Sequence, residues 1–182
     1  WQPMEDAKIE IVVANPGDAS TIALLGRITF GETFGHLFRD RSDLQDYCTK
    51  TFGLEKISCS LSKAENLFWL ALFDGLPVGY AKLKLDVQSD FIEASRVGQL
   101  QKIYVLKDFL GYGIGLKLQN TLISKATDLE CDMVWLSVLR ENSRAIRFYQ
   151  KNGFNIVGQH EYSIGKEDFN FEVMSKSLKR NS

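Results

Sequence analysis

Residues 99–126 read QLQKIYVLKDFLGYGIGLKLQNTLISKA, and this stretch decides the fold of the chain. Residues 99–105 alternate polar and apolar side chains with a period of two, which is typical of a half-buried strand. A glycine-rich turn follows at residues 111–115, and apolar side chains then recur at helical spacing from residue 118 to residue 126. The stretch therefore predicts a strand, a glycine turn and an amphipathic helix in direct succession.

The turn contains three alternating glycines, Gly111, Gly113 and Gly115. Glycine is favoured where φ must be positive or where a side chain would prevent close approach. The start of a helix presents unpaired backbone N–H groups and about half a positive charge, so this turn is a candidate site for a phosphate or pyrophosphate. The spacing fits neither a P-loop nor the G-x-G-x-x-G dinucleotide fingerprint. The alternative is that the glycines only tighten a turn between a strand and a helix.

Length, composition and charge limit the class of protein. The chain has 182 residues, of which 45% are hydrophobic, and this predicts one domain, residues 1–182, with a substantial core. A formal net charge of −1 gives no electrostatic basis for binding nucleic acid. No apolar run approaches the roughly 20 residues that cross a bilayer, and no signal-peptide pattern opens the sequence, so we expect a cytoplasmic protein without a membrane partner.

The three cysteines, Cys48, Cys59 and Cys131, are widely separated. They lack the paired spacing of a metal site and do not form an even set, so we expect neither a bound metal nor a disulfide framework. We interpret all three as small buried residues.

The segments before the glycine turn predict a strand, a helical block and a hairpin. The expected elements are a strand at residues 8–13, a helix from about Pro16, short helices at residues 43–52 and 54–63, and strands at residues 67–73 and 76–85. Asp74-Gly75 joins the last two strands and is a strong hairpin signal. Residues 86–93 are polar and predict a loop.

The stretch from residue 29 to residue 36 is aromatic and interrupted by glycine, so we expect the first helix to end or bend there. Phe30, Phe34 and Phe38 either line a pocket or pack inward, as most aromatic side chains do. We expect a structural rather than a catalytic role for His36.

A second strand and helix follow the central helix. The nearly continuous apolar run at residues 133–138 predicts a strand covered on both faces, and the connecting helix implies that it runs parallel to residues 99–105. Asn142 is expected to cap a helix that ends at Gly153. One face of this helix places an amide and a phenol among apolar side chains, and the alternative is a simple cap and a core tyrosine. That face consists of Asn142, Ala145, Ile146 and Tyr149, and two closing strands are expected at residues 155–158 and 169–174.

Two ordered motifs together resemble the GNAT superfamily of acetyl-CoA-dependent N-acetyltransferases. They are Ile103-Tyr104-Val105 with the glycine triplet, and Asn142, Ala145-Ile146, Phe148-Tyr149, Lys151 and Gly153-Phe154. The likeness covers most of the chain and is closest to bacterial polyamine N-acetyltransferases of the Pai type. It implies an α/β fold with a central mixed sheet, in which two parallel strands splay apart and helices flank the sheet.

The resemblance also implies a reaction. The enzyme would transfer an acetyl group from acetyl-CoA to a primary amine by direct attack in a ternary complex, without a metal, and a small polyamine such as spermidine or spermine is the leading acceptor. The alternatives are acetylation of a protein, a peptide or another small amine, or a catalytically silent CoA-binding module. The expected partners are acetyl-CoA and a small amine, and a homodimer is compatible with the sequence.

By the same resemblance, the residues that bind the cosubstrate lie in both motifs. The Val105 N–H would polarise the thioester carbonyl, Asn142 would bind the cofactor arm, and Tyr149 would protonate the departing thiolate. Lys107 and Lys117 are further candidates for outer phosphate contacts. The cofactor-binding set is Ile103, Tyr104, Val105, Gly111, Tyr112, Gly113, Ile114, Gly115, Leu116, Asn142, Tyr149 and Lys151.

The acceptor side is expected to include Phe30, Glu32 and Phe34. A polycationic acceptor favours acidic groups near its site, for which Glu32, Asp40 and Asp43 are the candidates.

The sequence has glutamine at the positions where the family commonly has a glutamate as general base. Glutamates that are common in the family before the glycine turn are Gln99 and Gln101 here, and a glutamine cannot accept a proton at neutral pH. Deprotonation of the ammonium group must therefore go through water, Glu32, Glu93 or another group.

Overall fold

The computed structural model describes residues 7–178, and these residues build a seven-stranded mixed sheet. The strands are β1 (Ile9–Val13), β2 (Asn66–Phe73), β3 (Leu76–Leu85), β4 (Val97–Val105), β5 (Met133–Leu139), β6 (Asn155–Ile164) and β7 (Glu167–Ser177). Their order across the sheet is β1-β2-β3-β4-β5-β7-β6. Among the described residues, β4 and β5 pair in parallel and the other neighbouring strands pair antiparallel.

Helices cover both faces of the sheet, and each face has its own hydrophobic core. The helices are α1 (Ala19–Phe34), α2 (Arg41–Thr51), α3 (Leu54–Ser62), α4 (Ile114–Asp128) and α5 (Ser143–Lys151). α4 and α5 pack on one face, where Leu118 and Leu122 are fully buried. α1, α2 and α3 pack on the other face around Ile22 and Phe52. None of the helices in residues 7–178 is long and apolar enough to cross a membrane.

The parallel strands β4 and β5 part after a short paired segment. Val97, Gly98 and Gln99 pair with Met133, Val134 and Trp135, and the pairing ends there. On the other side of β4, Leu100 lies opposite Leu83 while Lys102 lies opposite Lys82, so Gln101 is an extra residue that forms a β-bulge. Because a bulge bends its strand and increases the local twist, this bulge accounts for the divergence of β4 from β5.

The mixed sheet with flanking helices and splayed parallel strands confirms the predicted fold class. The predicted strand at residues 76–85 has the observed bounds Leu76–Leu85, and Asp74 and Gly75 have φ values of 49° and 84°. Two positive φ values are the signature of a type I′ turn, which suits the right-handed twist of a hairpin.

The first helix ends inside the stretch at residues 29–36, as predicted. α1 continues to Phe34 and is followed by a 3₁₀ turn at Gly35–Leu37. Phe30 and Phe34 stack with their ring centroids 4.5 Å apart on the buried side, so tertiary packing overrides the weak periodicity.

The last hairpin is longer than predicted, because β6 extends to Ile164 and β7 begins at Glu167. Most of β6 is exposed and polar, so no apolar alternation marks it, and backbone pairing with β7 holds it in the sheet. The prediction that all three cysteines are buried is wrong for one of them, since Cys48 and Cys131 are buried but Cys59 is exposed.

Candidate active site

A cleft of about 530 Å³ opens where β4 and β5 diverge. One wall comes from β4 and the glycine turn, another from β5 and α5, and the C-terminal end of α1 closes one side. Most of the residues that the sequence nominated meet here. They are Phe34, Ile103, Tyr104, Val105, Gly111, Gly113, Ile114, Gly115, Leu116, Asn142 and Tyr149.

The glycine turn has two kinds of glycine. Gly111 and Gly113 have φ values of 90° and 75°, so the backbone itself requires glycine there. Gly115 lies in the first turn of α4 with an ordinary helical backbone, and a Cβ atom added to it would meet nothing within 4 Å. A tight turn therefore explains Gly111 and Gly113 but not Gly115. The absence of a side chain at Gly115 leaves the start of α4 open toward the cleft.

The start of α4 offers an anion site. Gly113 is the N-cap and makes no side-chain capping hydrogen bond, and the first intrahelical bond joins the Lys117 N–H to the Gly113 carbonyl at 3.2 Å. The N–H groups before Lys117 lie at the positive end of a helix of 15 residues. A phosphate group placed here would find both donors and a favourable field.

The edge of β4 that faces β5 provides a second set of backbone groups. Within residues 7–178, pairing of this edge with β5 ends at Gln99, whereas pairing with β3 on the other side continues to Val105. Backbone N–H and C=O groups between these two points are available to an extended ligand that lies in the gap, as another strand would.

Tyr149 and Asn142 are held by α5. The Asn142 side-chain oxygen accepts a hydrogen bond from the Ala145 N–H at 3.2 Å and caps the helix. Tyr149 is 7% exposed and packs edge-on against Phe148 and Phe154, with ring centroids 5.3 Å and 5.6 Å away. Burial raises the pKa of the Tyr149 phenol, so this group stays protonated and remains a hydrogen-bond donor at neutral pH.

Four residues of the predicted cofactor-binding and acceptor sets lie outside the lining of the cleft. The Tyr112 ring packs on Phe73 with a centroid distance of 5.0 Å, and Lys151 is exposed at the end of α5. Phe30 is buried in the α1 to α3 core. The Glu32 carboxylate accepts hydrogen bonds of 3.1 Å and 3.3 Å from the Lys107 backbone N–H, so it ties α1 to the turn that follows β4.

The other two candidate acids hold the turn between β6 and β7. The Asp40 carboxylate binds the Lys166 ammonium at 2.9 Å, and Asp43 accepts a hydrogen bond from the Lys166 N–H at 2.9 Å. Hydrogen bonds from Ser42 and Lys166 lower the pKa of Asp40 to about 2. Asp40 and Asp43 are thus engaged in fastening the last hairpin to the start of α2.

Two lysines lie side by side on the face of the sheet that α1, α2 and α3 cover, and one of them precedes Tyr104 by two residues in β4. Lys82 on β3 is opposite Lys102 on β4, and their ammonium groups lie over the rings of Phe68 and Phe52 at 5.3 Å and 5.4 Å. Burial, together with neighbouring lysines, lowers the pKa of each to about 8. This side of the sheet therefore carries cations.

The structure also adds residues that the sequence analysis missed. Ser137 and Leu139 from β5 and Phe171 from β7 line the cleft opposite β4. The Ser137 hydroxyl lies 2.9 Å from Nε2 of His160 on β6. Ser137 was detectable as the polar residue in the apolar run at residues 133–138, but His160 fell between the closing strands predicted at residues 155–158 and 169–174.

A model of the acetyltransferase (GNAT) family matches residues 31–154. An N-acetyltransferase of Lactobacillus delbrueckii subsp. lactis, described as uncharacterized, is 25% identical over 173 residues, which cover 93% of this chain and 98% of that protein. A spermine/spermidine N(1)-acetyltransferase of Bacillus subtilis (strain 168) is 30% identical over 109 residues, or 58% of this chain and 66% of that protein. The crystal structure of PaiA N-acetyltransferase from Thermoplasma acidophilum in complex with coenzyme A superposes with a TM-score of 0.72 at 22% identity, covering 94% of this chain and 99% of that one.

Proposed function

Because this chain belongs to the acetyltransferase (GNAT) family and is an acyltransferase, we propose that it transfers an acetyl group from acetyl-CoA to a primary amine by direct attack in a ternary complex. One observation carries the proposal. A single cleft collects the start of α4, the free edge of β4 and the buried phenol of Tyr149. An anion site suits the pyrophosphate of a CoA thioester, an unpaired strand edge suits its pantetheine amides, and a proton donor suits its thiolate leaving group.

Different residues of the cleft would bind different parts of acetyl-CoA. The N–H groups at the start of α4 would hold the pyrophosphate, with Gly113 and Gly115 permitting its close approach. Backbone groups of Ile103 and Val105 would meet the pantetheine amides on the unpaired edge of β4. Lys107 and Lys117 are exposed beside the turn and would add charge at longer range.

Acetyl-CoA supplies an activated acyl carbon and a thiol leaving group. The Val105 N–H is a preorganised donor for the oxygen that becomes negative during transfer, and such donors are a large part of catalysis in acyl transfer. Tyr149 would donate its phenolic proton to the sulfur as the C–S bond breaks. Burial disfavours phenolate and thiolate alike, so the raised pKa of Tyr149 does not by itself oppose this proton transfer.

A small polyamine such as spermidine or spermine is the first acceptor to test. The support is the similarity to the spermine/spermidine acetyltransferase of Bacillus subtilis. We further propose that residues 1–182 act as one acetyltransferase domain, because residues 7–178 share one sheet.

A second class of acceptor, a peptide or another small amine with few charges, is favoured by the electrostatics of the cleft. Asp40 and Asp43 are bound to Lys166, and Glu32 is bound to the Lys107 N–H. Among the described residues that line the cleft there is no Asp or Glu. The half-buried Lys102 lies between the lining residues Gln101 and Ile103 in β4 and is paired with half-buried Lys82. A polycation would find little attraction in this arrangement.

Release of free thiol from acetyl-CoA, measured with a panel of amines, tests the proposal. Spermidine, a monoamine of similar length that carries a single charge, and a peptide with a free N-terminus should be compared at several ionic strengths. Turnover with any primary amine supports the acetyltransferase, and the preferred amine identifies the acceptor class. Tight binding of coenzyme A without turnover on any amine would instead indicate a silent CoA-binding module.

A further inference from the structure

The cleft offers no carboxylate to deprotonate an ammonium substrate. Its titratable lining residues in the described part of the chain are Tyr104, Tyr149 and Arg144. Burial raises the pKa of both tyrosines, so neither is an anion at neutral pH, and an arginine is not a base. Gln101 has no basic atom, and Glu93 lies in the exposed loop before β4, outside the cleft lining. A protein group that takes the proton must therefore lie behind the lining.

One lining residue is bonded to such a group. Ser137 lies on β5, across the gap from β4, and its hydroxyl is 2.9 Å from Nε2 of His160. The His160 ring also stacks on Phe171, with a centroid distance of 5.1 Å and an interplanar angle of 12°. Because Phe171 lines the same cleft, two contacts fix the imidazole beside the wall opposite β4. His160 is otherwise exposed to solvent, so a proton taken up on its ring can pass to water.

We propose that Ser137 and His160 form the proton-removing pair for the acceptor amine, with Ser137 as the catalytic residue and His160 as its proton-accepting partner. This inference rests on the proposed function. The ammonium group gives a proton to the Ser137 oxygen while the Ser137 hydroxyl proton passes to Nε2 of His160. The products are a neutral amine with a free electron pair and an imidazolium, which returns its proton to water.

The acidic groups near His160 do not compete with Ser137 for its ring, because they lie on the other face of the sheet or are bonded to other residues. Strand neighbours alternate between faces, so Glu161 on β6 and Glu172 on β7 lie on the face opposite His160. Glu172 is bonded to Arg140 and to Gln159, and Asp43 of α2, which packs on β6, is bonded to Lys166. Histidine is the side chain whose ordinary pKa, about 6.5, suits a base at neutral pH.

The test is the pH dependence of kcat/KM for the best amine, measured with His160→Gln. Glutamine keeps a hydrogen-bonding partner for Ser137 but cannot act as the base. At pH 7 an amine of ordinary pKa, about 10.4, is almost fully protonated, so we expect a loss of about 100-fold or more. The loss should shrink as the pH approaches 10, where the amine deprotonates in solution, and binding of coenzyme A should not change.

Matched variants separate chemistry from structure. His36→Gln changes the other histidine of the chain, which is exposed in the 3₁₀ turn after α1, and should keep the parent pH profile. Ser137→Ala retains the size of the side chain and should reproduce the profile of His160→Gln, which keeps the test valid if either variant folds poorly. An equal loss at every pH, or an unchanged profile in both variants, would overturn the assignment while leaving the proposed function intact. No turnover by the parent protein with any amine would overturn both.

Discussion

Replacement of Gly115 by leucine tests whether this position is glycine to admit a ligand or to form the turn. Gly115 has a helical backbone and open space around its missing Cβ, so leucine fits the protein without strain. Leucine is better than glycine in a helix by about 0.5–1 kcal/mol, which raises Tm by about 1–4 °C for a chain of this size. We therefore expect Gly115→Leu to be at least as stable as the parent protein.

The same change should weaken the binding of coenzyme A. A leucine side chain at the open start of α4 would keep a pyrophosphate from the N–H groups there. Loss of one or two hydrogen bonds to a charged group costs about 2–4 kcal/mol, which corresponds to about a 30- to 1000-fold increase in Kd. Affinity and stability thus change in opposite directions, a combination that damage to the fold does not produce.

Isothermal titration with coenzyme A and thermal unfolding measure the two quantities on one preparation. Gly31→Leu is the matched control, because Gly31 also lies in a helix, α1, with nothing within 4 Å of its missing Cβ, but is not part of the cleft lining. The control should gain stability and keep its affinity. Parent-like affinity in Gly115→Leu, or a fall in its Tm, would refute the assignment of the glycine turn to the cosubstrate.

Three further predictions concern single side chains. Tyr149→Phe keeps the buried ring but removes the proton donor, so kcat should fall about 10- to 100-fold with little change in the Kd of coenzyme A by titration; an unchanged kcat would remove its acid role. Glu32→Ala frees the Lys107 N–H and should raise the KM for acetyl-CoA several-fold in steady-state assays, while Glu32→Gln, which retains an acceptor, should restore most of it. Lys102→Met should raise the stability at pH 7 by about 1–2 kcal/mol in denaturant titrations, because burial lowers the folded-state pKa of this lysine from 10.5 to about 8 and its charge opposes folding. The gain should be full below about pH 8 and vanish above about pH 10.5, where the lysine is neutral in both states; a gain that is independent of pH would contradict this electrostatic cause.

The sequence alone was sufficient where a feature depends on neighbours along the chain. Alternation placed β3 at its observed bounds, and Asp74-Gly75 predicted the hairpin, because a two-residue turn and the period of a strand are local properties. The glycine triplet and the cap at Asn142 likewise predicted the starts of α4 and α5. The cleft itself was expected only from the family resemblance, which implied that the two parallel strands splay apart.

Local reasoning failed where an element depends on packing or on backbone pairing alone. The sequence predicted an end or a bend of α1 within residues 29–36, and packing sets the exact end at Phe34, because Phe30 and Phe34 stack in a core that α2 completes. β6 carries little apolar alternation and forms because β7 lies beside it. In both cases the stabilising partner is far away in the sequence.

By itself, then, the sequence determined the elements, their order, the parallel pair and the family of acyltransferases. Only the tertiary structure decided which polar groups meet across elements. Glu32 reaches the Lys107 N–H over 75 residues, Asp43 reaches the Lys166 N–H over 123, and Ser137 reaches His160 over 23. The physical reason is that hydrogen bonding within an element has a fixed period along the chain, whereas contacts between elements depend on how their faces pack, and no short pattern of residues specifies that packing.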